Sequence, residues 1–320
     1  MNLSQVKTLS NQVAENIGKV IIGKNTEVKL VLAAFLAGGH VLLEDVPGTG
    51  KTLLAKSLAR SFDISFSRVQ FTPDLLPSEL TGINFFSPAS CNFTFRKGSL
   101  FAHIILADEI NRATPRTQSG LLESMEELQI TVDGETYPLE RPYFVIATQN
   151  PIETQGTFPL PEAQLDRFLI QLSLGYPKKA ETVKVIKDGI NAAPIEGISS
   201  VCTEKDFMEM REAVKGVFVH DDVLSYIAEI AEASRTHESV ALGISTRGAL
   251  MLAKIVQAYT AIDGREFVTP QDVKLLVPYV FAHRLVLRGG LRNRMSAAQT
   301  IIEEVVTLIK APVETWKGTD

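Results

Sequence analysis

The stretch EDVPGTGKT, residues 44–52, lies between a short apolar run and a segment of helical periodicity at 51–61. Glycines allow a backbone to turn several amide groups toward one centre, and a helix start adds the positive end of its dipole. Lys51 would place a positive charge at the β- and γ-phosphates of a nucleotide, and Thr52 a hydroxyl beside Mg²⁺. The stretch therefore predicts a phosphate-binding loop. It departs from the general pattern once, because Asp45 occupies the first glycine position.

Two carboxylates follow a second apolar run, since Asp108 and Glu109 come directly after IILA at 104–107. The carboxyl ends of buried parallel strands face the ligand crevice of an α/β sheet, so these acids are expected near the phosphate loop. Asp108 would organise Mg²⁺ through its waters, and Glu109 would orient or deprotonate the attacking water. Two solvated acids at a strand end are the alternative, which the preceding phosphate loop disfavours.

A third polar strand end is ATQNP at 147–151. The amide of Asn150 would hold a water beside the γ-phosphate if this strand neighbours the phosphate loop. An Asn-Pro turn that only ends the strand fits the same spacing equally well. The residues alone leave both interpretations open.

Alternating apolar strands and helices predict a parallel α/β sheet with helices on both faces at residues 1–176, followed by an all-α domain at 177–320. A hairpin with an Asp-Gly turn is predicted at 129–139, and a second hairpin at 85–95. Either hairpin would contact a substrate or serve as rigid decoration. The predicted strands are 40–44, 65–69, 104–107, 143–147 and 168–172. The predicted helices are 3–17, 25–37, 51–61, 118–127, 178–190, 204–214, 221–234, 247–262, 270–286 and 296–310.

The composition is ordinary for a globular protein, with 320 residues, 45% hydrophobic and 22% charged, and a net charge of −5. This balance exerts no overall attraction on nucleic acid or anionic membrane. Two distant cysteines, Cys91 and Cys202, argue against a disulfide framework or zinc site and favour a cytoplasmic location. The first residues lack the pattern of a signal peptide, and the most apolar window, 28–43, is too short and interrupted to span a bilayer.

One stretch near the end is rich in basic side chains. A nucleic-acid footprint and a solvated or subunit-contacting face both fit it, and the second is favoured because the stretch lacks interleaved aromatics. The residues are His283, Arg284, Arg288, Arg292 and Arg294.

Four stretches, in this order, resemble the MoxR family of AAA+ ATPases: EDVPGTGKT at 44–52, ADEINRA at 107–113, ATQNPIE at 147–153 and LPEAQLDRF at 160–168. An acidic residue before Val-Pro-Gly is usual in that family, so Asp45 does not weaken the match. The resemblance extends over nearly the whole chain. It implies a P-loop NTPase fold of the AAA+ type with a helical lid, ATP as substrate and Mg²⁺ as cofactor.

The resemblance also implies a role for individual residues. Lys51 matches the Walker A lysine, Glu109 the Walker B glutamate and Asn150 sensor 1. Arg167 matches the arginine finger that reaches a neighbouring subunit, and Arg247 the sensor 2 arginine. Nucleotide contacts are implied for Ile22, Gly23, Pro47, Gly48, Thr49, Gly50, Lys51, Thr52 and Leu53, metal contacts for Thr52 and Asp108, and a further contact across the subunit interface for Arg112.

Physical chemistry alone leaves the two arginines open. Arg167 stands beside Asp166 and would form a surface ion pair of little energetic value. Arg247 near a helix start opposes the helix dipole, which mildly favours an anion nearby.

The resemblance implies a hexameric ring with its active site shared between protomers. It also implies a chaperone-like role in remodelling or activating protein complexes, with a protein client and a partner bearing a von Willebrand A-type domain. Alternatives are a magnesium-chelatase-like motor subunit, a nucleotide-gated binding module with little turnover, and a nucleic-acid motor. The acidic balance disfavours the last.

Overall fold

Strands and helices of the chain are given by a computed structural model that describes residues 1–88, 91–151, 156–191, 194–289 and 294–312. The strands are β1 (Val41–Glu44), β2 (Phe66–Gln70), β3 (Gly82–Ser87), β4 (Asn92–Lys97), β5 (Ile104–Asp108), β6 (Gln129–Val132), β7 (Glu135–Pro138), β8 (Phe144–Gln149), β9 (Ile170–Leu172), β10 (Val240–Leu242) and β11 (Val286–Leu287). The helices are α1 (Leu3–Gly18), α2 (Asn25–Ala37), α3 (Lys51–Ser61), α4 (Pro77–Thr81), α5 (Pro115–Glu127), α6 (Glu162–Leu165), α7 (Lys179–Asn191), α8 (Glu204–Val214), α9 (Asp221–Thr236), α10 (Thr246–Ile262), α11 (Pro270–Phe281) and α12 (Arg294–Leu308). Single 3₁₀ turns cover Ile110–Arg112, Pro194–Gly197 and Ala282–Arg284.

Five strands form one parallel sheet in the order β2–β5–β8–β1–β9. Its strands are those expected from the sequence, with ends shifted by one or two residues. Alternate side chains enter two different cores: Val41 and Leu43 of β1 face one, and Leu42 faces the other. Burial on both faces explains the apolar runs of β1, β5 and β8. The predicted parallel sheet with helices on both faces is confirmed.

The second half of the chain packs its helices against the first. α10 lies against α1, α2 and α11, and the apolar core on that side of the sheet continues into the helical lid. The predicted division at residue 177 stays a prediction. Among the described residues, no helix is both long and apolar enough to cross a lipid bilayer.

Two details of the lid differ from expectation. A short antiparallel pair, β10 with β11, adds to its helices. The helix predicted to reach Val286 ends at Phe281, where a 3₁₀ turn begins. The guanidinium of Arg284 bonds the carbonyl oxygens of Val280 and Phe168, and Val286 pairs as a strand residue.

Both predicted hairpins are present. β6 and β7 pair antiparallel around Asp133 and Gly134, whose φ values of 51° and 84° are both positive, as a type I′ turn requires. β3 and β4 form the other, and residues 89 and 90 within it lie outside the described part of the chain.

His40 joins the amino end of the sheet to α5. Its Nε2 donates to the carbonyl oxygen of Met125 at 3.1 Å, and its Nδ1 accepts from the Val145 amide at 3.1 Å. The ring is therefore held neutral between one acceptor and one donor. Burial lowers the pKa of His40 from 6.5 to about 4, with the Met125 carbonyl opposing that shift.

This histidine should make folding sensitive to acid. Below pH 6.5 the unfolded chain binds a proton that folded His40 refuses until about pH 4, so the free energy of unfolding falls as pH drops through that window. The expected slope is up to about 1.4 kcal/mol per pH unit. Urea unfolding of wild type and His40→Gln at pH 7.5, 6 and 5 measures it. Equal slopes in the two proteins would contradict the prediction.

Candidate active site

A cavity of about 280 Å³ opens at the carboxyl end of the sheet, between the loop after β1 and the ends of β2, β5 and β8. It brings together the sequence-predicted phosphate loop, both carboxylates and Asn150. Its lining residues are Asp45, Pro47, Gly48, Thr49, Gly50, Lys51, Thr52, Leu53, Arg68, Gln70, Asp108, Glu109, Thr148, Gln149 and Asn150.

The loop backbone is shaped for an anion. Gly48 and Gly50 have φ values of 85° and 91°, a conformation that side-chain-bearing residues rarely adopt. α3 begins at Lys51 without a side-chain cap, so the amides of its first turn stay available to a ligand. The Lys51 ammonium donates to the carbonyl oxygens of Asp45 and Val46 at 3.1 and 3.0 Å.

Asp45 explains the departure from the glycine pattern. Its buried carboxylate accepts hydrogen bonds from the Ser173 hydroxyl at 2.7 Å and from the amides of Leu174 and Gly175 at 2.6 and 3.0 Å. These residues follow β9 and lead into α7. The first loop position therefore ties the phosphate loop to the chain segment that leaves the sheet.

Replacing Asp45 by glycine, which restores the general phosphate-loop pattern, should therefore lower the stability of the protein. In Asp45→Gly, the buried Leu174 amide loses its acceptor, at roughly 1–3 kcal/mol for a buried group left unsatisfied, and the partly buried Gly175 amide and Ser173 hydroxyl lose theirs as well. We expect a lower free energy of unfolding and weaker ATP binding than in wild type, measured by urea unfolding and calorimetry. Asp74→Gly, an exposed site outside the cavity, is the control. A variant as stable as wild type would contradict this role.

Thr148 links the two predicted carboxylates. Its hydroxyl donates to Asp108 Oδ1 at 2.7 Å and accepts from the Glu109 amide at 2.8 Å. Arg68 Nη2 donates to Asp108 Oδ2, also at 2.7 Å. Asp108 is thus held in place by two donors at the floor of the cavity.

Glu109 stands one residue further out in a strained backbone conformation, with φ 57°. Such outliers cost of order 1–3 kcal/mol and cluster at functional sites. Its Oε2 accepts from Gln70 Nε2 at 2.8 Å and from Arg112 Nη1 at 2.9 Å. Arg112, implied by the resemblance to act across a subunit interface, therefore contacts the carboxylate of its own chain.

Arg68, Gln70 and Thr148 were not predicted as site residues. The positions of Arg68 and Gln70 along their strand could have indicated that they reach the site. In a strand, alternate residues share a face, and Arg68 and Gln70 end a strand that pairs in register with β5, with Gln70 opposite Asp108. This alternation indicates a shared site only when it is known that β2 and β5 are neighbours in the sheet.

Two other predicted nucleotide residues lie outside the cavity lining. Ile22 and Gly23 come before α2, and Ile21 is the residue of this segment that approaches Gly50. Gly23 has the carboxylate of Glu181 beside it, and its φ of 76° disfavours a residue with a side chain at this position. Residues 152 and 153 of the ATQNPIE stretch lie outside the described residues.

Arg167 and Arg247 lie at the other end of the sheet. Both contact one carboxylate, that of Glu126 near the end of α5, from Arg167 Nε at 2.9 Å and Arg247 Nη1 at 2.7 Å. Leu169, two residues after Arg167, donates its amide to the His40 carbonyl oxygen before β1. The four residues of β1, at about 3.3 Å each, put roughly 13 Å between this end and the phosphate loop.

Glu126 was not singled out from the sequence either. The sequence feature that could have identified Glu126 is the acidic pair Glu126 and Glu127 in the last turn of a predicted helix. Negative charge there opposes the helix dipole and so indicates a positively charged partner. The suggested partner of Arg167, its neighbour Asp166, instead accepts from Arg284 Nε at 2.7 Å.

The expectation that the basic run forms a solvated or subunit-contacting face is wrong for its first two residues. His283 and Arg284 are 6% and 7% exposed and hold the loop before β9 through Asp166 and Phe168. Burial lowers the pKa of Arg284 to about 10, and the charge of Asp166 opposes that shift. A nucleic-acid footprint cannot use buried side chains. Arg292 and the side chain of Arg294 lie outside the described residues.

Thr52 and Asp108 both line the cavity and offer the hard oxygen atoms that Mg²⁺ prefers. Among the described residues, no group of three or more His, Cys, Asp or Glu side chains could hold a metal ion. A Mg²⁺ at this site would therefore complete its shell with phosphate oxygens and water, as it does in nucleotide sites generally.

Comparisons with known proteins identify the family of the chain. Residues 40–170 match the "ATPase family associated with various cellular activities (AAA)", and residues 232–305 match the AAA lid domain. The uncharacterized protein YeaC of Bacillus subtilis is 45% identical over 96% of both chains. Chaperone MoxR1 of Mycobacterium tuberculosis is 36% identical over 97% of this chain and 84% of its own length. The crystal structure of a candidate ATPase from Cytophaga hutchinsonii has a TM-score of 0.89 and 34% identity, covering 97% of each chain.

Proposed function

The chain belongs to the MoxR family of AAA+ ATPases, and we propose that it hydrolyses ATP with Mg²⁺ at sites shared between neighbouring copies of itself. The observation that carries the proposal is the separation of two half-sites. Lys51, Asp108 and Glu109 meet in one cavity, whereas Arg167 and Arg247 meet at the opposite end of the sheet.

The phosphate half-site would act by position and charge. The bare first turn of α3 and Lys51 would hold the phosphates, and Lys51 would exchange the carbonyl oxygens of Asp45 and Val46 for them. Thr52 and Asp108 would hold Mg²⁺, whose charge neutralises the developing negative charge on the phosphate oxygens. Glu109 would orient or deprotonate the attacking water, and Asn150 would hold it in line.

The arginine half-site would serve the next protomer. A guanidinium beside the transferring phosphoryl group stabilises the charge of the transition state. Arg167 and Arg247 are too far from the phosphate loop of their own chain to do this, so we assign both to a neighbour's nucleotide. They would then exchange Glu126 for phosphate oxygens on assembly.

A head-to-tail contact of this kind uses two different surfaces, and it forms a ring when the rotation between neighbours closes. We propose a hexameric ring in the cytoplasm that remodels or activates a protein client, with a partner bearing a von Willebrand A-type domain. The name of the relative from M. tuberculosis, a chaperone, supports the role.

Removal of the metal tests the chemistry. We expect ATP turnover in the presence of Mg²⁺. Turnover should fall to background when EDTA chelates the Mg²⁺, because Asp108 and Thr52 then hold no cation against the phosphates. Phosphate release measured at several protein concentrations checks this, with excess Mg²⁺ restoring the rate. Turnover that is unaffected by EDTA would contradict the proposed site.

A further inference from the structure

Gln118, near the start of α5, has a buried side-chain amide that donates to three backbone carbonyl oxygens. The residue is only 1% exposed. Its Nε2 lies 3.1 Å from the carbonyl oxygen of Ile110, 3.2 Å from that of Ala113 and 3.0 Å from that of Phe158. An amide nitrogen carries two hydrogen atoms, so these three acceptors use its whole capacity to donate. The side chain therefore joins the chain segments to which these carbonyl groups belong.

Two of the three acceptors belong to the turn that follows Glu109. The 3₁₀ turn Ile110–Arg112 begins directly after this glutamate, and the Arg112 amide donates to the Glu109 carbonyl oxygen at 2.9 Å. Hydrogen bonds inside a 3₁₀ turn have poor geometry, so such a turn gains from support outside itself. Gln118 gives this support at the first residue of the turn and at the residue just beyond its end.

The third acceptor brings the chain that follows Asn150 against the same turn. The amide of Phe158 donates to the Asn111 carbonyl oxygen at 2.6 Å, while the carbonyl oxygen of Phe158 accepts from Gln118. The turn is thus bonded both to α5 and to the segment after β8. The carbonyl oxygens of residues 110, 111 and 113 each have a donor.

The turn needs this support because of the backbone of Glu109. Its φ of 57° and ψ of 49° lie in the left-handed region, which a residue with a side chain keeps only where its surroundings impose it. Before the turn, the Glu109 amide is held by the Thr148 hydroxyl at 2.8 Å. If the turn were free, Glu109 could relax to an ordinary helical or extended conformation. Its Cα–Cβ bond would then point elsewhere, and the carboxylate would leave its place in the cavity.

We propose that Gln118 is a positioning residue for ATP hydrolysis, which holds the turn at 110–113 and so keeps the carboxylate of Glu109 directed into the phosphate cavity. The inference rests on the proposed role of Glu109 and adds the buried group that fixes its direction. Gln118 itself does not line the cavity. Its loss should therefore slow the chemical step and leave ATP binding unchanged.

Removal of the amide tests the proposal. Gln118→Met keeps the length of the side chain and removes both N–H groups. We expect turnover at saturating ATP to fall roughly 10²-fold, the loss that a misplacement of about 1 Å can cause, with the Kd for ATP and the assembly state as in wild type.

Thr117→Val is the matched control. Thr117 is also 1% exposed, and its hydroxyl donates to the Leu75 carbonyl oxygen at 3.0 Å, away from the turn. Both variants remove buried hydrogen bonds from the same helix, so both should lower the melting temperature. Only Gln118→Met should lose turnover.

A double variant shows whether Gln118 acts through Glu109. Once Glu109→Gln has removed the carboxylate, its direction no longer matters, so adding Gln118→Met should slow single-turnover hydrolysis little further. A general defect of the fold would instead slow wild type and Glu109→Gln by the same factor. Gln118→Asn is a second, milder variant: it keeps the amide on a side chain one methylene shorter, and it should lose turnover in the same pattern.

The outcomes separate this inference from the proposed function. If Glu109→Gln is inactive, wild-type turnover in Gln118→Met, or a double variant slowed by the full Gln118→Met factor, would overturn this inference alone. Loss of the fold or of ATP affinity in both Gln118→Met and Gln118→Asn would also overturn it, because Gln118 would then be a structural residue. Wild-type turnover in Glu109→Gln would overturn the proposed role of Glu109 as well.

Discussion

Arg167→Ala is expected to lower ATP hydrolysis by about 10³–10⁵-fold while leaving nucleotide binding and the fold intact. The loss is large because a guanidinium acts on charge that develops only in the transition state. The fold should tolerate the change because the partly exposed pair with Glu126 is worth little, about 0–1 kcal/mol. Phosphate release, ATP binding and thermal melting together separate these effects.

Mixing two inactive proteins locates the site of action. If Arg167 serves a neighbour, Arg167→Ala mixed with Glu109→Gln should recover activity. Some interfaces then pair an intact Glu109 from one chain with an intact Arg167 from the other. Arg116→Ala, an exposed arginine on α5 outside the cavity and the Glu126 pair, is the control and should keep wild-type turnover. Wild-type rates in Arg167→Ala would contradict the arginine half-site.

Glu109→Gln is expected to bind ATP and to lose about 10²–10⁴-fold in turnover, the usual contribution of a positioned acid–base group. The amide keeps the shape of the side chain but cannot take a proton from water. Lys51→Ala should differ, because it removes the charge that holds the phosphates and so weakens ATP binding itself. Equilibrium binding and single-turnover hydrolysis distinguish the two variants.

The control for both variants is Glu123→Gln, an exposed glutamate on α5 that does not line the cavity. It should match wild type in binding and turnover. Turnover of Glu109→Gln within a few-fold of wild type would exclude Glu109 as the group that activates water. The ATP-bound variant would also serve to capture the client, since release of the client would await hydrolysis.

The phosphate half-site could be predicted because its parts are local. The loop at 44–52 sits between a strand and a helix that are adjacent in sequence, and Asp108 and Glu109 directly end an apolar strand. The apolar runs of β1, β5 and β8 identified the centre of the sheet because strands buried on both faces are mostly hydrophobic. Asp45 was recognised as an exception to the motif, but its hydrogen bonds to residues 173–175 were not predicted.

What the sequence by itself determined was therefore the parallel sheet, the phosphate loop and the two carboxylates at its edge, since short-range pattern and strand direction dictate them. Tertiary structure alone decided the rest. Sheet order brought Gln70 and Thr148 to Glu109, because strands far apart in sequence became neighbours. Packing paired Arg167 and Arg247 with Glu126 at the far end of the sheet and buried Arg284. Contacts between distant residues depend on how elements pack, which the periodicity of any one element does not specify.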